Sequence, residues 1–290
     1  MHSASPSSPV WRAASSAPYR SISAAVSGPG AARKLLKGSS AGRSEPAHSG
    51  GSGTAGVPSP AVPAPALVFR KRGEAYTAED MADDAVAVMA ALGWESAHLL
   101  GVSLGGAVAQ RVALRHPRRV RTLTTMAAVP GDVHGLRTLC YIRTSTLARF
   151  ARLRFPDTPE GAVEAGVAVS RLLASPRRPF DEAAAREAAG RNPDRGMHDQ
   201  QAQSRQIGAQ WHGPPIEALS RPALVLHGED DPLIKPVAGR VIARRVPGAR
   251  LVLLPRVGHE IPEPAWDRIA AEVRALADTS APGPAAARRD

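Results

Sequence analysis

Three residues of this chain have the types and the chain order needed for nucleophilic acyl transfer: Ser103, Asp231 and His259. A serine hydroxyl is a poor nucleophile until a histidine takes its proton and a carboxylate orients that histidine. Ser103 sits in Gly101-Val102-Ser103-Leu104-Gly105, the G-x-S-x-G pattern of a sharp strand-to-helix turn with serine at its tip. Such a turn strains the serine backbone, and residues without bulk on either side let two chain segments pass closely. It also aims the backbone N–H of the next residue, Leu104, at a developing oxyanion. Taken singly, each piece has a plainer explanation. A lone G-x-S-x-G is more often a turn than a nucleophile, Glu229-Asp230-Asp231-Pro232 suits a solvated turn, and His259 after Gly258 suits a loop. The conjunction, in order and each after a β-type run, carries the reading.

The elements that must position these residues can be read from the pattern. Trp94 to Gly101 holds a short apolar strand before the serine, and Ala107–His116 reads as the helix behind it, stopped by Pro117. Upstream, Thr77-Ala78-Glu79-Asp80 looks like a helix start, Met81, Ala85, Val88 and Leu92 recur at helical spacing, and Gly93 ends the run. Val120–Met126, Ala223–Gly228 and Ala249–Leu254 read as further strands, and Glu263–Ala277 as a closing amphipathic helix with Trp266, Ile269, Val273 and Leu276 on one face. Alternating strands and helices imply a parallel sheet, and residues just past strand ends gather on its carboxyl edge, where ligands bind. Between Pro130 and Arg221 the alternation lapses into helical pieces around Leu136–Phe150, Thr158–Leu173 and Phe180–Ala189.

With these residues in view, the chain resembles the α/β-hydrolase fold enzymes, and among them the small capped esterases similar to aclacinomycin methylesterases. The resemblance rests on Gly101-Val102-Ser103-Leu104-Gly105-Gly106, His227-Gly228-Glu229-Asp230-Asp231-Pro232 and Gly258-His259-Glu260-Ile261-Pro262, and runs from about Glu74 to Ala277. It implies Ser103 as nucleophile, His259 as base, Asp231 rather than Asp230 as the orienting acid, and Leu104 N–H as an oxyanion donor. It implies a carboxylic-ester hydrolase working on a small molecule with no metal or organic cofactor. Lactonase, C–C hydrolase and perhydrolase chemistry use the same triad, whereas dehalogenases and epoxide hydrolases of related families carry aspartate at the turn. Residues 131–220 then correspond to a helical cap, inserted between core segments 67–130 and 221–278. Trp211, Phe150, Phe155, Phe180, Tyr141 and the methionines are candidate pocket walls, or simply groups that pack cap against core.

Composition narrows the alternatives. The chain has 290 residues, enough for one α/β domain with a cap. Its single cysteine, Cys140, excludes an internal disulfide framework. The net charge of +11 is concentrated upstream: residues 1–73 carry nine Lys/Arg against one acid, Glu45, so the body holds only +3. Without aromatic residues interleaved in the basic part, a nucleic-acid partner is not expected. Neither a membrane span nor a secretory h-region is read, and a cytoplasmic location is the expectation. Residues 1–66 contain 46 Ala, Ser, Pro or Gly and read as a disordered tail, as do residues 279–290. The resemblance implies earlier strands and a His-Gly loop giving a second oxyanion N–H. Only Ala66-Leu67-Val68-Phe69-Arg70 and His48-Ser49-Gly50-Gly51 echo them. The first strands therefore read as missing, as in a hydrolase whose amino-terminal third is lost or replaced. Two readings stay open: a serine hydrolase with an improvised oxyanion hole, and a non-catalytic remnant that at most binds a small ligand.

Overall fold

A computed structural model describes residues 77–156, 158–191 and 209–279. The tail expected over 1–66, the tail expected over 279–290 apart from Thr279, and the strands missing before Ala66 lie outside the described residues; Thr279 itself caps the last helix. The described chain forms a four-stranded parallel sheet in the order β1 (Ala97–Val102), β2 (Val120–Met126), β3 (Ala223–Gly228) and β4 (Arg250–Leu254). Helix α1 (Ala78–Ala91) precedes β1, α2 (Leu104–Arg115) joins β1 to β2, α6 (Val237–Arg245) joins β3 to β4, and α7 (Trp266–Asp278) follows β4. The connection from β2 to β3 carries α3 (Thr144–Phe150), α4 (Pro159–Leu173) and α5 (Glu182–Gly190).

The sheet is covered on both faces, which is why its strands read as near-continuous apolar runs. In β3 the alternation of side chains sends Ala223 and Val225 to one apolar cluster and Leu224 and Leu226 to the other. The first cluster joins Met81 and Ala82 of α1, Val108 and Val112 of α2 and Ile242 of α6. The second joins Met126, Leu254, Ile269 and Leu276, so α7 closes the opposite face. Fully burying one such leucine contributes roughly 1.5–3 kcal/mol.

Caps explain several boundaries. At α1, Thr77 Oγ1 accepts from the Asp80 N–H while the Asp80 carboxylate accepts from the Thr77 N–H, a reciprocal cap. Helix α2 begins at Leu104, earlier than the expected Ala107, because the Ser103 carbonyl itself accepts from the N–H groups of Gly106 and Ala107. The closing helix is preceded by a short 3-10 turn, Glu263–Ala265, whose Pro264 suits a first turn but leaves the α-helix to start at Trp266. Two consecutive buried residues of α2 then fix the loop after β2. The Gln110 side-chain amide donates to the Gly106 and Val129 carbonyls and to Thr125 Oγ1, and its oxygen accepts from the Gly131 N–H at 2.8 Å. Arg111 Nε donates to the Gly131 carbonyl at 2.8 Å, and burial pulls its guanidinium pKa down to about 10.

Of the candidate pocket walls, Trp211 belongs to the first apolar cluster and donates its indole N–H to the Pro214 carbonyl. Met81, Met89 and Met126 are core residues, and Phe180 stacks under the Arg171 guanidinium at 4.4 Å. Trp211 and these methionines thus pack the core, and Met126 also accepts the Ser103 N–H through its backbone carbonyl. Among the described residues no helix is long and apolar enough to cross a membrane.

Candidate active site

Because the four strands are parallel, whatever follows their carboxyl ends shares one rim. Ser103 directly follows β1, Asp231 lies just past β3, and His259 sits in the loop after β4. The structure brings the three side chains into a continuous chain. His259 Nε2 is 3.0 Å from Ser103 Oγ, and His259 Nδ1 is 2.8 Å from Asp231 Oδ2. A carboxylate can only accept, so Nδ1 carries the proton and Nε2 is left as the acceptor for the serine hydroxyl. Asp231 is fully buried, and its second oxygen accepts the N–H groups of Leu233 and Ile234, both at 2.8 Å. Each of its lone-pair directions toward the protein is therefore assigned, and the carboxyl group cannot rotate away from the imidazole.

The serine turn is strained. Ser103 has φ 56° and ψ −123°, a region that costs a non-glycine residue of order 1–3 kcal/mol and persists only when neighbours hold it. The holding bonds are the Ser103 N–H to the Met126 carbonyl at 2.9 Å and the two helix-opening bonds to its own carbonyl. The glycines flanking it are not equivalent. A Cβ on Gly101 would overlap the Gly105 carbonyl, so the backbone of the incoming strand and outgoing helix could not pass. A Cβ on Gly105 would meet nothing within 4 Å among the described residues. The tight crossing therefore rests on Gly101, and Gly105 is not required for its own clearance. Leu104 occupies the first helical position, and its N–H donates to no group among the described residues. It is thus available, with the helix dipole behind it, to an anion at the turn. The loop expected to provide a second donor lies outside the described residues.

Asp230 does something else. Its carboxylate is held by Arg177 through Nε at 2.8 Å and also through Nη2, and it accepts the Ser175 hydroxyl at 2.7 Å. Those bonds, the Arg177 one foremost, keep the Asp230 carboxyl below the usual carboxylate range. It faces the insertion between β2 and β3 and makes no hydrogen bond to His259 among the described residues.

A second histidine escaped the sequence reading. His227, wholly buried near the end of β3, places Nε2 3.0 Å from the Ile234 carbonyl and 3.5 Å from Asp231 Oδ2. Burial is the main influence on it and pulls its pKa below the ordinary value, so it stays neutral and donates Nε2–H toward the loop that carries Asp231. The signal was present as the His-Gly pair closing β3, but an apolar strand gives no hint of which buried polar partner its histidine finds. The other hidden contributor is Gln110, a lone amide on the buried face of α2.

Comparison with known proteins fits this arrangement. The family profile described as "alpha/beta hydrolase fold" matches residues 41–264, a span that includes all three residues and begins upstream of Glu74. A rhodomycin D methylesterase of Streptomyces peucetius is 32% identical over 223 residues, covering 68% of this chain and 72% of that protein. A 2-hydroxymuconate semialdehyde hydrolase of Pseudomonas putida is 31% identical over 188 residues, 63% of each chain. Among solved structures, an esterase of a Rhodococcus species superposes with a TM-score of 0.52 at 22% identity, covering 68% of this chain and 71% of that one, a likeness of fold. The matched profile, the methylesterase relative and the parallel sheet with its serine turn together place this chain in the α/β-hydrolase fold family.

Proposed function

We propose that this chain is a serine hydrolase that cleaves a small-molecule carboxylic ester by acyl transfer. The observation that carries the reading is the unbroken hydrogen-bond chain from Ser103 through His259 to the buried Asp231, at 3.0 Å and 2.8 Å. Ser103 Oγ attacks the ester carbonyl carbon while His259 Nε2 takes the hydroxyl proton. The Leu104 N–H stabilises the oxyanion that forms. Collapse breaks the carbon–oxygen bond, and His259 returns the proton to the departing alkoxide. Water, activated by the same nitrogen, then releases the acid and restores the serine. Asp231 fixes the imidazole tautomer throughout. Residues 131–220 act as the cap that roofs the substrate.

The methylesterase relative acts, by its name, on a methyl ester, so methyl esters of small-molecule acids are the substrate class to test first. A fluorophosphonate probe should label wild-type protein at Ser103 and leave Ser103→Ala unlabelled. Hydrolysis of p-nitrophenyl acetate, followed by a panel of methyl esters, reads turnover. Labelling that persists in Ser103→Ala, or no labelling of correctly folded wild-type protein, would remove the assignment.

A further inference from the structure

The histidine of the candidate triad is anchored to the insertion between β2 and β3 as well as to its own loop. His259 donates its backbone N–H to the carbonyl of Leu173, the last residue of α4, at 2.8 Å. The chain leaving that helix, Ala174 to Arg178, then lies across both loops that carry triad residues. Arg177 binds Asp230, the neighbour of Asp231, and lies 3.7 Å from Glu229. Arg178 Nη2 binds Glu260 Oε1, the neighbour of His259, at 2.6 Å, and the Ser175 N–H donates to the same oxygen at 3.3 Å. The seating is close: a Cβ on Gly258 would meet the Ser175 nitrogen at 2.6 Å and would also overlap the Leu173 carbonyl and the Glu260 carboxylate.

The two ion pairs differ in exposure. The Arg177 side chain is 58% exposed, whereas Arg178 and Glu260 are 26% and 22% exposed. An exposed pair contributes little, while a partly desolvated one loses more when a partner is removed. Arg178 Nε and Glu260 Oε2 are buried without partners among the described residues, so the pair is held by one bond with capacity for a second.

We propose that Leu173–Arg178 is a strap whose Arg178–Glu260 pair positions His259 against Ser103, making Arg178 and Glu260 positioning residues for the reaction. The proposal rests on the hydrolase reading for its catalytic consequence, but the anchoring itself can be measured without turnover. Its logic is geometric. The Arg178–Glu260 pair keeps the Leu173 carbonyl over the His259 N–H, and releasing it lets the backbone of residue 259 drift. A displacement of 1 Å in a reacting group can cost about 10²-fold in rate.

The test measures fluorophosphonate labelling rate constants and hydrogen exchange at the His259 amide in wild type, Arg178→Met, Arg178→Lys, Glu260→Gln and the double variant R178M/E260Q. In Arg178→Met the labelling rate constant should fall at least about tenfold, in keeping with a sub-ångström displacement, and the loss on p-nitrophenyl acetate should fall in kcat, not KM. Arg178→Lys should recover most of it, since a lysine ammonium can still meet Glu260 Oε1. The double variant should cost no more than the larger single loss. Protection of the His259 amide should fall about tenfold in Arg178→Met. Unchanged rate constants with unchanged protection overturn the proposal. So does a variant in which only the labelled fraction or the melting temperature falls, because that is a structural role. If wild type does not label at all, the hydrolase reading fails, and exchange at the His259 amide alone decides the strap. Should Arg178→Met not fold, Glu260→Gln, which keeps an acceptor for the Ser175 N–H, carries the same readouts.

Discussion

Replacing Asp231 by asparagine tests the tautomer argument with little disturbance of the fold. The asparagine oxygen can still accept the Leu233 and Ile234 N–H groups, now 2.8 Å from Asp231 Oδ1. Its NH2 group then faces His259 Nδ1 where Oδ2 stood, and two donors cannot share that bond. The imidazole must move its proton to Nε2, which turns an N–H toward Ser103 Oγ and removes the acceptor that the hydroxyl needs. The serine-protease precedent for losing the correct tautomer is about 10⁴ in kcat. At 1.36 kcal/mol per decade, that corresponds to about 5.4 kcal/mol of transition-state stabilisation. Asp230→Asn removes the Arg177 pair and leaves the His259 bond intact, so it should cost no more than about tenfold. Both variants would be assayed on p-nitrophenyl acetate, with labelled fraction and thermal unfolding as controls. A loss at Asp230 equal to or greater than that at Asp231 would refute the assignment, as would an Asp231→Asn variant retaining more than about a tenth of wild-type turnover.

Other outcomes follow from the packing. Gly101→Ala should abolish the turn, seen as loss of a cooperative thermal transition or of at least about 3 kcal/mol in denaturant unfolding, whereas Gly105→Ala should change stability by less than about 1 kcal/mol. Gln110→Leu should cost about 2–4 kcal/mol in urea unfolding, because the Gly131 N–H and the Gly106 and Val129 carbonyls lose a buried partner together. His227 has a depressed pKa in the fold, so the unfolded chain binds its proton first as pH drops. Its contribution is present above the unfolded value of about 6.5 and is lost progressively below it, with a slope of up to about 1.4 kcal/mol per pH unit. His227→Gln should flatten that part of a stability–pH curve measured by denaturant unfolding.

What could be read from the sequence depended on how local its cause was. Strands β2 and β3 matched their expected bounds: β3 is an apolar run buried throughout, with Pro222 before it and Gly228 at its end, and β2 is a run of β-branched and apolar residues buried at all but Arg121. The juxtaposition of Ser103, Asp231 and His259 was legible because each follows its own strand, and a parallel sheet turns that sequence fact into shared position. The start of α2 was misplaced since the glycines that suggest a loop there are helical. Which of the two roles Trp211 takes, pocket wall or packing, was unreadable for a different reason: it is far from α1 and α2 in sequence, and only the tertiary fold decides which apolar surface it covers. The roles of Gln110, His227 and Arg178 were equally hidden. Each is a polar side chain whose meaning comes from one long-range partner, and residue type alone does not name that partner.

The hydrogen bond from the His259 backbone to the Leu173 carbonyl has a consequence for engineering. Grafting a different helical insertion between β2 and β3 looks like a cut at two loop ends, with the sheet and the loops beyond it left whole. The true seam runs elsewhere, since residues 173–178, 229–231 and 258–260 form one interlocked unit drawn from three separate stretches of chain. A chimera that imports a new insertion while keeping the old β3 and β4 loops would inherit a histidine with half its moorings. Exchange of the three stretches as a set is the transplant that respects the molecule's own joints.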